Sequence, residues 1–255
     1  MTLMENITFK TPVLRVNDRD LNIAFYQNNL GLRLVSEENA IAIFSSWGEG
    51  QECFVIEESP SVRTRAVEGP KKVNTIVIKT NQPKEIEQLL AHGAHYDALF
   101  KGQNGYAFET ISPEGDRFLL HAEQDIKHLQ GTDLPSLEKD ATFKGLTQFK
   151  FDIIVLNVIS EERSKAFYRD LFSDQLPITM DFIQEEGPDL AIDPHIAWDL
   201  EILEFQVSKD YDMKVLKATL EEDGHKVYID KNTKYWSFLI QVRSKYGLRN
   251  DFGGH

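Results

Sequence analysis

The chain has 255 residues, 41% of them hydrophobic, and a formal net charge of -13. That is the balance of a soluble globular protein with room for about two domains of ordinary size. So acidic a chain repels a phosphate backbone unless its bases gather on one face; its densest basic pair is Lys71-Lys72, and nucleic acid is excluded as a partner.

The opening MTLMENITFK lacks both the apolar core and the basic leader of a signal peptide. No run approaches the roughly 18 apolar residues of a membrane helix. No membrane partner and a cytoplasmic location are expected, with an extracellular or surface location only through non-classical export.

From Val13, VLRVNDRDLNIAFYQNNLG reads as a buried strand, an N-cap at Asp18 and an amphipathic helix with Ala24, Phe25 and Tyr26 turned inward. Three strand-like runs follow, LRLVSEE, AIAIFSS and ECFVIEES, completing a β-α-β-β-β unit. The lone Cys53 can form no internal disulfide and reads as a structural thiol. A second unit begins with VNTIVIKT and PKEIEQLLAHG. Pro83 suits the first turn of that helix, and Gly93 suits the left-handed residue after its end. YAFETI and RFLLHAE close the unit as a hairpin across Ser112-Pro113-Glu114-Gly115.

IKHLQGTDLPSLEKDATFKGLTQ is polar and uneven and reads as a linker, giving domains at 1–125 and 149–255 with a linker at 126–148. After it the opening pattern returns. Val13, Leu14, Val16, Ala24, Phe25 and Tyr26 recur at one offset as Val155, Leu156, Val158, Ala166, Phe167 and Tyr168, with Ser160 in place of Asp18. This third unit is short of material, and one of its strands is expected to be lost or very short. The fourth reads LEILEFQVS, the helix DMKVLKATLEEDG, then HKVYID. The tail from Tyr235 does not close it with a hairpin. Reread in the neighbouring frame it becomes a strand, a turn and a last strand with a stop, so a frameshift near Lys234 is expected. The alternative is YWSFLIQVRS as one long strand.

Paired β-α-β-β-β units, the Ala24-Phe25-Tyr26 helix and the S-P-E-G turn resemble the vicinal oxygen chelate superfamily of glyoxalase I, bleomycin-resistance proteins and extradiol dioxygenases. More narrowly, the two-domain arrangement and IDPHIAWDLEILEF resemble the bacterial CppA family, named as complement C3-degrading proteinases. The resemblance implies an α+β fold of tandem glyoxalase-like domains, each wrapped around a cavity, with complement C3 as a partner.

In metal-using members of the superfamily the ligands come from the first and last strands of two units. Those positions fall here at Thr11, Val55, Asn74 and Leu119. Valine and leucine cannot ligate, and threonine and asparagine are poor ligands for a catalytic divalent ion. No metal and no cofactor are expected, so Leu119 fills a wall. Alternation along strands places Arg15 with Thr11, and Arg117 and His121 with Leu119. Arg15, Asn74, Arg117 and His121 are therefore the candidate site for a small anionic ligand or a peptide; the competing reading pairs them with carboxylates at the sheet rim. In the second half Ile153 and Glu201 fall at ligand positions. Asp199 shares a face with Glu201, as a cation site or as an acidic stripe on a solvated strand.

The protease implied by the resemblance leaves no signature. Phe44-Ser45-Ser46-Trp47-Gly48 lacks the first glycine of a nucleophile elbow. No H-E-x-x-H occurs, and His92 and His95 flank a glycine beyond a helix end. The residues favour a metal-free binding protein over a C3 peptidase. A metal-dependent lyase, isomerase or dioxygenase comes last.

Overall fold

The computed structural model describes residues 7–50, 52–172, 175–207, 214, 215, 218, 228–230 and 236–240, the last two stretches by backbone alone. The first unit comprises β1 (Thr8–Val16), α1 (Arg19–Asn28), β2 (Arg33–Glu38), β3 (Ile41–Ser45) and β4 (Phe54–Glu58). The second comprises β5 (Val73–Lys79), α2 (Pro83–Ala91), β6 (Ala98–Lys101), β7 (Tyr106–Ile111) and β8 (Arg117–His121). A short β9 (Gln130–Gly131) lies in the linker, followed by β10 (Lys150–Val158), α3 (Glu161–Phe172) and β11 (Thr179–Gln184) of the third unit. The fourth contributes β12 (Leu200–Val207), β13 (Tyr228–Asp230) and β14 (Trp236–Ile240).

Local signals act as their chemistry requires. Asp18 caps α1 by accepting the Leu21 N–H at 2.9 Å, and Ser160 accepts from Arg163 at the start of α3. Gly93 follows α2 at φ +95°, and Gly115 closes the S-P-E-G turn at φ +83°; glycine enters this region without the steric cost a Cβ brings.

The units are paired as expected, but their partners are not sequence neighbours. One seven-stranded sheet has the order β13-β14-β12-β1-β4-β3-β2, the other β11-β10-β5-β8-β7-β6-β9. Unit one therefore closes on unit four, through antiparallel β1 and β12, and unit two on unit three, through antiparallel β5 and β10. Within each complete unit the last strand lies parallel beside the first, β4 on β1 and β8 on β5. The other edge of each first strand is left for a second unit. Side-chain alternation says which face is buried but not which unit takes that edge.

Two further differences concern the trimmed half. Unit three was expected to lack one strand, yet among the described residues β11 alone follows α3 where complete units place three strands. In the space before β12 the chain makes two short 3-10 turns, Pro188–Ala191 and Pro194–Ile196. Prolines cannot donate to a ladder and disfavour a strand there. In unit four β14 lies beside β12 but antiparallel to it, in the slot where complete units hold a parallel last strand. Residues 241–255, with the rest of the reread tail, lie outside the described residues.

A single core joins both sheets. Phe54 of β4 packs on Phe118 of β8 with centroids 6.1 Å apart, and Tyr26 of α1 reaches Phe54 at 4.7 Å and Phe118 at 5.6 Å. At the other end Phe9 meets Phe151 edge-on at 5.8 Å. Phe9 and Phe151 owe this inward aim to matching irregularities. In β1 the register slips between Phe9 and Thr11, and in β10 it slips between Phe151 and Ile153. Each slip leaves one extra residue, Lys10 and Asp152, at equivalent places of the two repeats. Such bulges bend a strand and re-aim its side chains.

Candidate binding site

The twin bulges border a cavity of about 510 Å³ between the two sheets. Its apolar lining comes from Ile7, Phe9, Phe149, Phe151, Pro177 and Ile178. Lys10 and Asp152 line it from opposite sheets, with Glu52, Lys150 and Gln206 adding polar groups. Lys10 Nζ donates to Glu204 at 3.0 Å. Lys150 stands 3.3 Å from the Asp152 carboxylate, and its side chain is 63% exposed, so it can turn to a ligand. Cys53 also faces this space. Burial pushes its thiol up to about 11, opposed only in part by Lys10.

Behind Asp152 stands His121, fully buried. Its Nδ1 accepts the Glu123 N–H at 3.2 Å, which places the ring proton on Nε2. Nε2 lies 3.3 Å from Asp152 Oδ2 without hydrogen-bond alignment. Burial holds the His121 pKa below its ordinary value, against the pull of Asp152. His121 thus reaches the cavity wall only through Asp152.

The other expected site residues do not converge with it. Arg15, in the first sheet, donates from Nε to Glu201 at 3.0 Å and lies 3.4 Å from Glu57 through Nη2. Asn74, in the second sheet, donates to Asn157 at 3.1 Å, and Arg117 pairs with Glu109 on neighbouring β7. Three of the four are spread over two sheets with protein partners already in place, and His121 stands behind Asp152 rather than in the cavity lining. The exchange of units sends Arg15 and Asn74 to different sheets.

The same exchange separates the superfamily's ligand positions. Thr11 and Val55 share the first sheet with Glu201, and Asn74 and Leu119 share the second with Ile153. Thr11 donates its hydroxyl to the Pro12 carbonyl, and Glu201 is held by Arg15. Neither set offers the nitrogen and oxygen donors a catalytic divalent ion needs, so the residues present do not fit that metal. Among the described residues no group of three or more His, Cys, Asp or Glu side chains is placed to hold an ion. His92 accepts a structural role, its Nε2 3.0 Å from the Asp140 carbonyl of the linker, while His95 is 72% exposed.

Asp199 is neither a cation ligand nor part of a solvated stripe. It is buried and accepts the N–H groups of Lys72 at 2.6 Å and Val73 at 3.3 Å. Burial raises its pKa even so. It belongs to a latch between the connector from unit one to unit two and the connector from unit three to unit four. Trp198 Nε1 donates to the Ser59 carbonyl at 2.8 Å and to Thr64 Oγ1 at 2.6 Å. Arg65 forks onto Asp189 at 2.5 and 2.8 Å, and the buried Lys72 ammonium donates to the Ile192 carbonyl at 2.7 Å. Of the Asp-Pro-His-Ile-Ala-Trp-Asp segment, Trp198 and Asp199 supply side chains to this latch.

Residues 9–132 match the family model described as CppA N-terminal, and residues 146–247 the one described as CppA C-terminal. The solved cppA protein from Streptococcus pneumoniae TIGR4 is 34% identical, with a TM-score of 0.75 over 91% of this chain and 93% of that one. A putative dioxygenase from Bacillus subtilis subsp. subtilis str. 168 shares the fold at 13% identity, with a TM-score of 0.57 over 93% of this chain and 82% of that one. Among curated proteins nothing matches.

Proposed function

The chain belongs to the CppA family and has the α+β vicinal-oxygen-chelate fold, and from that premise we propose that it is a binding protein for a short peptide or an amino-acid-like zwitterion, seated between its two sheets. One observation carries the reading. Equivalent bulges in β1 and β10 aim a cation, Lys10, and an anion, Asp152, at one cavity with a phenylalanine-rich wall. Binding sites are commonly apolar concavities with a few convergent polar groups. A zwitterion with an apolar side chain meets all three surfaces: its carboxylate faces Lys10 or Lys150, its ammonium faces Asp152 or Glu52, and its side chain covers the rings.

A simple anion fits less well, because each lysine at the cavity already has a carboxylate neighbour. A C3-cleaving peptidase, which the family resemblance implies, has no observation in its favour. The thiol at the cavity, Cys53, titrates too high to supply a thiolate near neutral pH.

The test is thermal melting with the dipeptide Leu-Phe in its free, N-acetylated and C-amidated forms. A ligand that binds only the folded state raises the melting temperature. The free form is expected to stabilise the protein, and Lys10→Met and Asp152→Asn each to abolish the shift. No shift with any form, or a shift that both variants retain, removes the proposal.

A further inference from the structure

The first sheet carries a second ionic arrangement, on the face turned away from the core. On β1, Leu14 and Val16 enter the core, and Arg15 between them points to the opposite side. Glu57 reaches it from β4 and Glu201 from β12, so two units each supply one carboxylate to a single guanidinium. Arg15 and Glu201 are sheltered, with side chains 10% and 8% exposed, while Glu57 is 33% exposed at the outer side. Burial works against the Arg15 charge, but Glu201 and Glu57 outweigh it and raise its pKa above the ordinary value.

The local charges explain why a cation is required. Three acidic side chains, Glu57, Asp199 and Glu201, gather here; the buried Lys72 acts on Asp199 and Glu201, and Lys71 on Asp199. Lys72 is committed to the Ile192 carbonyl, and Asp199 to two backbone N–H groups. Without Arg15, Glu57 and Glu201 would face one another with nothing between them. The buried Glu201 carboxylate, with Glu57 33% exposed beside it, is then favoured to bind a cation or take up a proton.

We propose that Arg15 is the resident cation of this face: its guanidinium takes the place of a divalent ion between Glu57 and Glu201, and the protein as it stands excludes metal there. It makes no reference to the cavity between the sheets, and the two proposals stand or fall separately. Carboxylate oxygens on two strands, with water completing the shell, suit a hard ion such as Mn²⁺.

The test is Mn²⁺ binding to the full chain, read by electron paramagnetic resonance and by calorimetry. The unaltered protein is expected to bind no stoichiometric Mn²⁺. Arg15→Met is expected to bind one ion, at least about tenfold tighter than any site in the unaltered protein, since affinity follows the charge available to the ion. The triple variant Arg15→Met/Glu57→Gln/Glu201→Gln is expected to lose it again. If Arg15→Met folds only when Mn²⁺ is present, judged by near-ultraviolet circular dichroism, that also supports the proposal. It is overturned if the unaltered protein binds Mn²⁺ in a way that Glu57→Gln/Glu201→Gln abolishes. It is equally overturned if Arg15→Met folds and binds none, or stays unfolded with Mn²⁺ added.

Discussion

The Glu114 carboxylate accepts the backbone N–H of Asn17 at 2.9 Å, across 97 residues of chain. The same oxygen receives Asp18 N–H at 3.4 Å and the Asn22 side-chain amide at 3.1 Å. The S-P-E-G turn of unit two therefore supplies an acidic cap to the first helix of unit one, where a negative charge favours the exposed N–H groups. Glu114→Ala should destabilise the protein by about 1–2 kcal/mol, the range of a lost cap. Urea unfolding checks this, and an unchanged midpoint would show that water replaces the carboxylate at no cost.

The latch predicts coupling between residues that do not touch the cavity. Trp198→Phe loses two donor contacts, and Asp189→Asn weakens the fork to Arg65; each is expected to cost about 1–3 kcal/mol. Both hold the same pair of connectors, so the double variant should cost less than the sum, by about 0.5 kcal/mol or more. Strict additivity in a double-mutant cycle would mean that the two ends of the latch open independently.

His121 should leave a mark on the pH dependence of stability. Its folded pKa lies below the ordinary 6.5 because the ring is buried. As pH falls below 6.5, the unfolded chain takes up a proton that the folded chain refuses, and stability drops until the folded pKa is passed. Asp152, Lys79 and Glu123 act on the ring, with Asp152 and Glu123 moderating the effect and Lys79 adding to it. The stability advantage of the unaltered protein over His121→Gln should therefore shrink between pH 7 and pH 5. Parallel melting curves for the two proteins across that range would contradict it.

The exchanged pairing of units gives a direct test with fragments. Residues 1–125 alone would leave the β12 edge of β1 and the β10 edge of β5 unpaired, and such edges aggregate or recruit other strands. Neither 1–125 nor 149–255 is expected to give a dispersed, cooperatively melting monomer. Coexpression should give a stable 1:1 complex by size-exclusion chromatography. A folded monomeric 1–125 would contradict this, because it requires unit one to close on unit two.

Much of this was legible in the residues. The repeat of Val13-Leu14 and Ala24-Phe25-Tyr26, the cap at Asp18, Gly93 and the S-P-E-G turn all act locally, and each signal lies within a few residues of its effect. The pairing of Arg15, Arg117 and His121 with carboxylates was also readable as one of two alternatives, because parity fixes which side chains share a face. What could not be read was which unit would take the open edge of each first strand, and the cavity depends on that choice. Lys10 and Asp152 gave a faint signal. They are charged residues of opposite sign at equivalent places of two strand starts, Phe9-Lys10-Thr11 and Phe151-Asp152-Ile153. Only the slip in register shows that both turn towards the same space.

The order of units in the sheets also bears on how the protein is made. A ribosome delivers β1 long before Leu200 begins the strand that completes its sheet. At about 5–20 residues per second that interval lasts roughly ten to forty seconds. The sheet of units two and three needs only residues up to Gln184 and can close first, around the still-open first unit. Through that interval β1 presents a nascent apolar edge, Pro12-Val13-Leu14, to whatever it meets. The yield of native protein in the cell should then depend on translation speed and chaperone supply between residues 60 and 200, a sensitivity that a fold closing each half in turn would not have.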